Sequence, residues 1–338
     1  MEKAVLKNMT LKEMESFMES IGEKKFRAKQ VFGWIYKGVE SYDEMNNVPK
    51  ALKEKLMEHA SFDNIRLVKV QKSKSDGTRK YLFEMPDGER IESVFMKYKY
   101  GNSICVSSQA GCAMGCTFCA SGINGLNRHL EPWEIAGQLL MAEKDTGEKI
   151  NHIVVMGTGE PFHNYDNVAK FINLVHEPAG LNLSMRNITV STCGLIDGIA
   201  KYAKDFPQST LAISLHAPTD DIRSQMMPVN KRYNIGEVLE AAKAYAEETG
   251  RRVTFEYSLV RGVNDSMDHA DILAARLKGL LCHVNLIPLN EVKETGYSAS
   301  KNAQKFKERL ESRGISATVR RELGADIDAA CGQLRLNN

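Results

Sequence analysis

The 338-residue chain lacks the long hydrophobic runs and the leader-like features of membrane and secreted proteins. No stretch approaches the roughly 20 apolar residues that a membrane-spanning helix needs. The first 20 residues are charged and amphipathic and have no apolar core of the kind found in signal peptides. These absences predict a protein that resides in the cytoplasm and does not engage a membrane.

A large net charge is absent too, which excludes a polycationic protein. The formal net charge is +2, from 45 Lys and Arg residues against 43 Asp and Glu residues. The balance is uneven, because residues 64–99 carry nine basic side chains against five acidic ones. Such a basic patch is compatible with a phosphate-rich partner, and a solvated surface explains it equally well.

Cysteines are few, and their odd number argues against a framework of structural disulfides. The seven cysteines are Cys105, Cys112, Cys116, Cys119, Cys193, Cys282 and Cys331. In a chain expected to work in a reducing compartment, they indicate metal or redox chemistry instead.

The spacing of apolar residues divides the first 100 residues into two parts. Residues 1–60 show the i, i+3, i+4 spacing of amphipathic helices. Residues 65–98 instead alternate with a period of two and are interrupted by Asp-Gly turn signals, which predicts a meander of two β-hairpins. We therefore expect an accessory domain at residues 1–100, with helices in 1–60 and the meander in 65–98.

The rest of the chain alternates short β-rich runs with helical patterns. Seven β-rich runs, from ICVSS to ATVR, are separated for the most part by helical patterns such as 131–144 and 234–249. This alternation predicts an α/β fold with a parallel sheet, arranged as a full or partial β/α barrel whose site lies at the carboxyl ends of the strands. We place the core domain at residues 101–320 and a tail at residues 321–338.

Cys112, Cys116 and Cys119 form the most specific motif, a CxxxCxxC on a glycine-containing loop after the first strand of the series. Three thiolates at this spacing can ligate three irons of a [4Fe–4S] cluster and leave the fourth iron without a protein ligand. Structural zinc normally needs a fourth ligand, for which Cys105 and His129 are the nearest candidates. The position of the motif after a barrel strand favours the cluster.

Polar residues also end the other predicted strands. The segment GTGEP follows the strand HIVVM, and its glycines would let a ligand approach the backbone while its glutamate accepts an amino group. Taken singly, each strand-end residue can be explained as part of an ordinary turn or as a cap. Because all of them are expected at the same rim of the barrel, together they predict a ring of ligand contacts. The candidates are Gly159, Glu160, Ser191, Ser214, Leu215, His216 and Asn290.

Two cysteines outside the motif differ from the remaining ones. Cys105 lies on the first strand of the series, seven residues before Cys112. Cys331 lies in a tail of glycines and paired acids, which has little core-forming character, so its thiol is expected to be displayed. Cys193 and Cys282 are interpreted as buried, inert thiols, which is the usual state of a single cysteine.

With these residues assembled, the chain resembles the RlmN/Cfr family of radical S-adenosylmethionine (SAM) adenosine methyltransferases almost end to end. CxxxCxxC is the signature of the radical SAM superfamily, and GTGEP resembles the segment that holds the ammonium group of SAM. The family resemblance rests on segments such as NSICVSSQAGCAMGCTFCASG, GLNRHLEPWEI, VSTCG, SLHAP, VNLIPLN and RRELGADIDAACGQL. The three-cysteine segment and the last segment are together highly specific.

The resemblance implies a fold and a set of cofactors. The fold would be a partial (β/α)6 TIM-like barrel of the radical SAM type, with the amino-terminal helices and the meander as an RNA-docking accessory domain. The cofactors would be a [4Fe–4S] cluster on the three motif cysteines and two SAM molecules per turnover, held by the strand-end residues. An electron donor such as flavodoxin or ferredoxin would reduce the cluster.

The resemblance also implies roles for three further residues. Cys331 would be methylated by one SAM, and a 5′-deoxyadenosyl radical from the second SAM would abstract hydrogen from its S-methyl group. The methylene radical would add to an adenine carbon, and Cys105 would resolve the adduct through a transient disulfide with Cys331. Glu92 matches the residue that accepts the proton.

The implied substrate is an adenosine of 23S rRNA at the peptidyl transferase centre and, for RlmN-like members, also the adenosine 3′ of a tRNA anticodon. Such loop adenosines can be unstacked into a pocket. Pro161 and the RRELGADIDAACGQL ending favour methylation of carbon 2, as in RlmN, with carbon 8, as in Cfr, as the alternative. Thr158 and Cys193 depart from the usual family residues near the SAM site.

Two other interpretations stay open on the residues alone. A radical SAM enzyme acting on a protein or small molecule, such as an activase, would keep the cluster but would not need Cys105 or Cys331. A zinc-stabilised RNA-binding module would not be an enzyme. Transfer of label from SAM to rRNA discriminates against the first, and iron and sulfide analysis after anaerobic reconstitution discriminates against the second.

Overall fold

The computed structural model describes residues 3–290, 296–329 and 332–334. Its strands are β1 (Ala4–Val5), β2 (Ala60–Ser61), β3 (Arg66–Lys72), β4 (Arg79–Glu84), β5 (Arg90–Tyr98), β6 (Gly101–Val106), β7 (Gln109–Gly111), β8 (Leu126–His129), β9 (His152–Val155), β10 (Ile188–Thr192), β11 (Thr210–Ser214), β12 (Val253–Leu259), β13 (Cys282–Pro288) and β14 (Ala317–Val319). Its α-helices are α1 (Leu11–Ser20), α2 (Phe26–Ile35), α3 (Lys50–His59), α4 (Pro132–Thr146), α5 (Tyr165–His176), α6 (Ile196–Asp205), α7 (Asp220–Met226), α8 (Ile235–Thr249), α9 (Met267–Leu277) and α10 (Ala303–Ser312).

Ten of these strands form one mixed sheet in the order β14-β13-β12-β11-β10-β9-β6-β5-β4-β3. Strands β6 and β9 to β14 run parallel, and helices α4, α5, α6, α8, α9 and α10 lie in the crossovers between them. Strand β6 pairs with β5 on its other side rather than with β14, so the parallel part stays open. The expected partial barrel of β/α units is confirmed.

The predicted meander is also confirmed, and it continues the barrel sheet. Strands β3, β4 and β5 are antiparallel, and the turns between them contain Gly77 and Gly88. Strand β5 then pairs antiparallel with β6, with Tyr98 opposite Gly101. Side chains on one face of the meander therefore continue the inner surface of the barrel.

Several helices begin at a capping box, namely α1, α4, α8 and α9. Helix α4, for example, starts at Pro132 behind a reciprocal capping box between Glu131 and Glu134, and it stops at the left-handed Gly147. The amino-terminal helices pack on the barrel helices, where the Trp133 amide donates to Asn8 Oδ1 at 3.1 Å. Within the described part of the chain, we find no helix with the length and apolarity to cross a membrane.

Candidate active site

The three cysteines of the CxxxCxxC motif lie on the loop between β7 and β8. The sequence does not predict this short hairpin, and it brings the two ends of the loop together. The Cys112 amide donates to the carbonyl oxygen of Gly125 at 2.8 Å, and the Cys119 amide donates to the carbonyl oxygen of Cys116 at 3.1 Å. The protein backbone by itself therefore gathers the three thiols.

All three thiols open on one cavity of about 160 Å³ at the carboxyl ends of the parallel strands. A buried water molecule needs only about 10–15 Å³, so the cavity has room for a ligand of many atoms. Leu215 is fully buried and is not among the described residues that line the cavity. The other strand-end residues singled out in the sequence all line it, namely Gly159, Glu160, Ser191, Ser214, His216 and Asn290.

The surroundings of the thiols disfavour thiolates unless a positive group is present. Burial, together with the nearby negative charges of Cys119 and Glu160, raises the pKa of Cys112 to about 11. Burial and the other two motif cysteines also raise the pKa of Cys116 well above its ordinary value. Because a bound metal displaces the thiol protons, this donor set fits a metal centre.

The arrangement suits an iron–sulfur cluster better than a single zinc ion. Zinc binds each thiolate sulfur at about 2.3 Å, so its ligands crowd around one point. Among the described residues, no three His, Cys, Asp or Glu side chains form such a group. Cys105 and His129, the candidates for a fourth zinc ligand, are not in the described lining of the cavity. A larger cubane needs neither of them.

Glu160 is held firmly on the cavity wall. One carboxylate oxygen accepts from the Phe162 amide at 3.0 Å, and the other accepts from the Cys193 amide at 2.7 Å. Burial raises the pKa of Glu160, and these two amides oppose the rise. Gly159 has a φ of 110°, and a Cβ atom there would lie 2.6 Å from Gln109 Cβ, so only glycine fits. The two amide contacts fix the position of the Glu160 carboxylate in the lining of the cavity.

His216 follows β11 with a left-handed backbone, and its ring is buried. Its Nδ1 atom accepts from the Ser258 amide at 2.9 Å, which leaves the proton on Nε2. Asn264 Nδ2 donates to the His216 carbonyl oxygen at 2.7 Å. Burial and the nearby charge of Arg223 lower the pKa of His216 to about 3, so the imidazole is neutral. It packs edge-on against Phe118 of the cysteine loop.

Cys105 lies in a second cleft that adjoins the first cavity. Cys105 is paired with Val94 across β5 and β6 and is buried. The two spaces share four lining residues, which are Met156, Ile287, Asn290 and Arg320. No disulfide joins any two of the six described cysteines. The fold therefore brings Cys105 to the edge of the cysteine cavity as a thiol.

The described part of the tail covers both spaces. Its residues in the Cys105 cleft include Leu323, Ala329 and Leu334. Gly332 lines the cysteine cavity, and its carbonyl oxygen accepts from the Ala120 amide at 2.8 Å. Cys331, which the family resemblance implies to be the methylated residue, lies outside the described residues.

Glu92, the expected proton acceptor, lies on β5 two residues before Val94 and so faces the same side as Cys105. It is 4% exposed, and its carboxylate lies 3.3 Å from the ammonium of Lys80, which is 2% exposed. Glu92 is not among the described lining residues of either space. The structure thus brings Glu92 and Cys105 to one face, with Glu92 beneath the surface.

Comparisons with known proteins cover nearly the whole chain. Residues 5–62 match the family model of the ribosomal RNA large subunit methyltransferase N-terminal domain, and residues 106–273 match that of the radical SAM superfamily. The probable dual-specificity RNA methyltransferase RlmN of Clostridium novyi is 52% identical over 333 residues, which make up 98% of this chain and 97% of that protein. The chain belongs to the RlmN family of radical SAM RNA methyltransferases.

Other relatives agree with membership of the RlmN family. The protein of the same description from Clostridioides difficile is 48% identical over 336 residues, which are 99% of this chain and 98% of that protein. The crystal structure of a radical SAM methyltransferase from Sphaerobacter thermophilus superposes with a TM-score of 0.94 at 44% identity, covering 98% of this chain and 99% of that one. The family resemblance seen in the sequence is confirmed.

One buried cation of this RlmN-family protein is not singled out by the sequence. Arg223 on α7 is fully buried, and its Nη2 atom donates to the carbonyl oxygen of Cys193 at 2.6 Å. Its Nε atom donates to the Leu215 carbonyl oxygen at 3.2 Å, and Nη1 donates to Asn230 Oδ1 at 2.9 Å. Arg223 therefore links the ends of β10 and β11, and its charge partly opposes the rise in the pKa of Cys116 that burial causes. In the sequence, α7 is indicated by Thr219 at the N-cap position and by the two aspartates of its first turn.

The basic run at residues 64–99 is largely neutralised in this RlmN-family fold. Five of its nine basic side chains form ion pairs, namely Arg66 and Arg90 with Glu84, Arg79 with Asp145, Lys80 with Glu92, and Lys97 with Glu148. Two stacked tyrosines lie at the carboxyl-terminal end of this basic run. Tyr98 stacks on Tyr100 with ring centroids 4.9 Å apart, and Tyr100 is 68% exposed.

Proposed function

We propose that the chain methylates carbon 2 of an adenosine in 23S rRNA at the peptidyl transferase centre, and also the adenosine 3′ of a tRNA anticodon, through a methyl group carried on Cys331. One observation carries the proposal. The described residues that flank Cys331 meet two different sites, because Ala329 lines the Cys105 cleft and Gly332 lines the cysteine cavity. A carrier on Cys331 would receive its methyl group in the cysteine cavity and would be released by Cys105 in the cleft. Such a carrier needs neighbouring residues that reach both sites.

The residues of the first cavity fit a [4Fe–4S] cluster and SAM. Cys112, Cys116 and Cys119 would hold the cluster, and Glu160 would take the ammonium of SAM. When bound, the cluster and SAM supply a primary carbon radical through one-electron cleavage, and a second SAM supplies the methyl group. The electron would come from a protein such as flavodoxin or ferredoxin.

The remaining strand-end residues would complete the SAM site. Gly159 lets the ligand approach the backbone, while Ser191, Ser214 and Asn290 offer polar side chains along the rim. The neutral His216 can donate from Nε2, and Leu215 would act only through its backbone. This mixture of an apolar lining with a few fixed polar groups is typical of cofactor pockets.

Three residues would carry the chemistry on RNA. The carbon radical on the Cys331 sulfur would bond to the adenine carbon, the unpaired electron of the adduct would return to the oxidised cluster, and Glu92 would accept the hydrogen of that adenine carbon as a proton. The Cys105 thiolate then attacks the sulfur of Cys331, so that an S–S bond forms as the C–S bond breaks. The electron pair of the broken bond stays with the transferred carbon, which takes up a proton and becomes the methyl group. A cellular thiol would reduce the disulfide for the next cycle.

This route explains why a radical enzyme is needed for such a site. The amidine carbons of adenine are electrophilic, so a methyl cation equivalent from SAM cannot add to them directly. A carbon radical carried on a sulfur atom of the protein can add to these carbons. The target must leave its stack to reach the carrier, which suits a loop adenosine.

Nucleoside analysis of the RNA product tests the proposal. The anaerobically reconstituted protein would be incubated with methyl-labelled SAM and either a 23S rRNA fragment or a tRNA, and the digested nucleosides would be separated and weighed. Labelled 2-methyladenosine is the expected product, whereas 8-methyladenosine would assign the Cfr-type alternative. RNA that acquires no label would overturn the proposal.

Two cysteine variants test the carrier cycle separately. Cys105→Ala is expected to accumulate protein covalently joined to RNA, because resolution is blocked. Cys331→Ala should give neither adduct nor product. Cys282→Ala, on the first residue of β13, serves as the control for removal of a thiol. Full turnover in either of the first two variants would dispose of the cycle.

A further inference from the structure

Lys80 is a lysine whose ammonium is sealed inside the protein. It lies on β4, in the middle of the meander, and is 2% exposed. Its Nζ atom has two partners from distant parts of the chain, since it lies 3.3 Å from Glu92 Oε1 and donates to the carbonyl oxygen of Asp328 at 3.2 Å. One partner is the expected proton acceptor, and the other lies three residues before Cys331.

The strand register explains why these groups meet. Lys80 is opposite Val94, and Val94 is in turn opposite Cys105 on the next strand, so all three side chains point to one face of the sheet. Glu92 lies two residues from Val94 and shares that face. The tail covers the same face with a small apolar cluster that includes Leu323, Ile327 and Ala329.

Other polar contacts fasten this part of the tail to the turn between β3 and β4. The carboxylate of Asp76 accepts from the Gly324 amide at 2.9 Å, and the carboxylate of Asp326 accepts from the Lys74 amide at 2.9 Å. The tail therefore docks through a defined set of contacts, and Lys80 is the member of that set that also touches Glu92.

A buried ammonium is tolerated only where its charge and its hydrogen bonds are satisfied. With the tail docked, Lys80 has both a carboxylate and a carbonyl oxygen. With the tail displaced, it would lose the carbonyl oxygen, and water would reach the ion pair and weaken it. The same ammonium thus favours the docked tail and the ionised, correctly oriented form of Glu92.

We propose that Lys80 is a positioning residue that couples docking of the Cys331 tail to the assembly of Glu92 as the base. The proposal rests on the function proposed above, because it assumes that Glu92 takes a proton while Cys331 carries the transferred carbon. The contacts of Lys80 with Glu92 and with the Asp328 carbonyl oxygen are made together, so the base has its full set of contacts only when the tail is docked.

Charge-matched variants separate coupling from simple packing. Lys80→Met keeps the length of the side chain and removes the charge, and Lys80→Arg keeps the charge. The double variant Lys80→Met/Glu92→Gln removes both charges of the buried pair. Lys204→Met, on the exposed face of α6, is the control for a lysine-to-methionine change.

Hydrogen–deuterium exchange of residues 322–329, measured on each variant without RNA or SAM, reports tail docking. Lys80→Met should speed this exchange at least about tenfold, because it leaves a buried carboxylate without its cation. The double variant should recover only part of this change, because it no longer buries an unpaired carboxylate but still lacks the donor to the Asp328 carbonyl oxygen. Lys80→Arg and Lys204→Met should stay within about threefold of wild type.

RNA methylation is then measured on the same proteins with the cluster reconstituted. Lys80→Met should lose at least about tenfold of its turnover, as expected for a broken buried pair. The double variant should stay as inactive although part of its tail docking is restored, whereas Lys80→Arg should recover most of the activity. Cleavage of SAM by dithionite, without RNA, should remain within about twofold of wild type in Lys204→Met.

The contrary results are equally specific. Wild-type turnover by Lys80→Met, or unchanged tail exchange in that variant, would overturn the coupling. Tail exchange in Lys80→Arg as fast as in Lys80→Met would show that the charge of residue 80 does not hold the tail, which also overturns it. Absence of RNA methylation by the wild-type protein would instead refute the proposed function, while the exchange experiment would still decide whether Lys80 docks the tail.

Discussion

The amide of Ala120 donates a hydrogen bond to the carbonyl oxygen of Gly332 at 2.8 Å. Ala120 directly follows the last cysteine of the CxxxCxxC loop, so the carboxyl-terminal tail is bonded to the element that would carry the cluster. Ser121 Oγ repeats the contact by donating to the Leu334 carbonyl oxygen at 3.1 Å. The backbone of the tail at Gly332 is therefore part of the wall of the cofactor cavity.

Replacing Gly332 by valine tests the importance of this wall. Gly332 has a φ of 83°, and a β-branched residue in that conformation is strained by about 1–3 kcal/mol, which would lower the docked fraction about 5- to 150-fold. We expect Gly332→Val to lose RNA methylation by a factor in that range while its iron content is retained. Product formation and iron are measured on the same preparation.

Gly314→Val provides a matched control for this strain. Gly314 has a φ of 84° in the turn before β14, and nothing lies within 4 Å of a Cβ atom placed there. The two variants therefore carry the same backbone penalty, and only one of them disturbs the tail. Equal losses of methylation in both would show that the tail contact has no special role.

Arg223→Met is predicted to destabilise the barrel rim. The change removes a buried charge and strips hydrogen bonds from the carbonyl oxygens of Cys193 and Leu215. Leaving these two buried carbonyl oxygens without a donor should lower the free energy of unfolding by about 2–6 kcal/mol, at roughly 1–3 kcal/mol for each. Urea unfolding measures the loss, with the exposed Arg186→Met as the control. A loss below about 1 kcal/mol would mean that water satisfies these carbonyl groups.

The sequence predicts the strands, the barrel and the rim residues because these depend on local periodicity. Once HIVVM and LAISL are recognised as parallel strands, their carboxyl ends must meet at one edge, and Glu160 and Ser214 follow them there. The three cysteines are equally local, because they fall within eight residues of one loop. Elements of this kind need no knowledge of distant contacts.

The elements that the sequence does not predict depend on distant contacts or are too short for a periodic signal. Helix α7 has only seven residues and β7 only three. Arg223 looks like an ordinary surface arginine, and its burial follows from the packing of three loops around it. Lys80 belongs to a basic run that suggests a solvated face, and only a tail some 250 residues further along the chain makes it a buried, functional cation.

Histidine titration gives a prediction for the pH dependence of stability. Burial, with the charge of Arg223, lowers the pKa of His216 to about 3, whereas an unfolded histidine titrates near pH 6.5. The unfolded chain therefore binds this proton first, so the stabilisation is complete above pH 6.5 and is lost as the pH falls from about 6.5 towards 3. The free energy of unfolding should drop by about 1.3 kcal/mol between pH 7.5 and pH 5.5 through this group alone.

The variant His216→Asn isolates that contribution. Asparagine tolerates the left-handed backbone and keeps an acceptor, but it does not titrate. Urea unfolding of the cluster-free protein at both pH values should show a smaller acid loss in the variant than in the wild type. His59→Asn, at a residue with a 47% exposed side chain, is the control. Equal acid losses in wild type and His216→Asn would mean that the histidine is protonated in the folded state.

The stacked pair of Tyr98 and Tyr100 is predicted to bind an RNA base next to the Cys105 cleft. Tyr98 lines that cleft, and Tyr100 extends the stack into solvent. A base stacked on an exposed aromatic contributes about 1–3 kcal/mol to binding, so Tyr100→Ser should weaken RNA affinity about 5- to 150-fold. Fluorescence anisotropy with a single-stranded fragment of 23S rRNA measures the change.

Two control variants test whether the change in RNA affinity belongs to the aromatic ring of Tyr100. Tyr100→Phe keeps the ring and should bind RNA as the wild type does, because stacking does not use the hydroxyl group. Phe26→Ser removes a 54% exposed aromatic from α2 and should leave affinity unchanged if the effect belongs to the tyrosine pair. Were Phe26→Ser to weaken binding as much as Tyr100→Ser, the RNA would contact the accessory helices as strongly as the meander. A full effect of Tyr100→Phe would instead assign the contact to a hydrogen bond, because only the hydroxyl group differs.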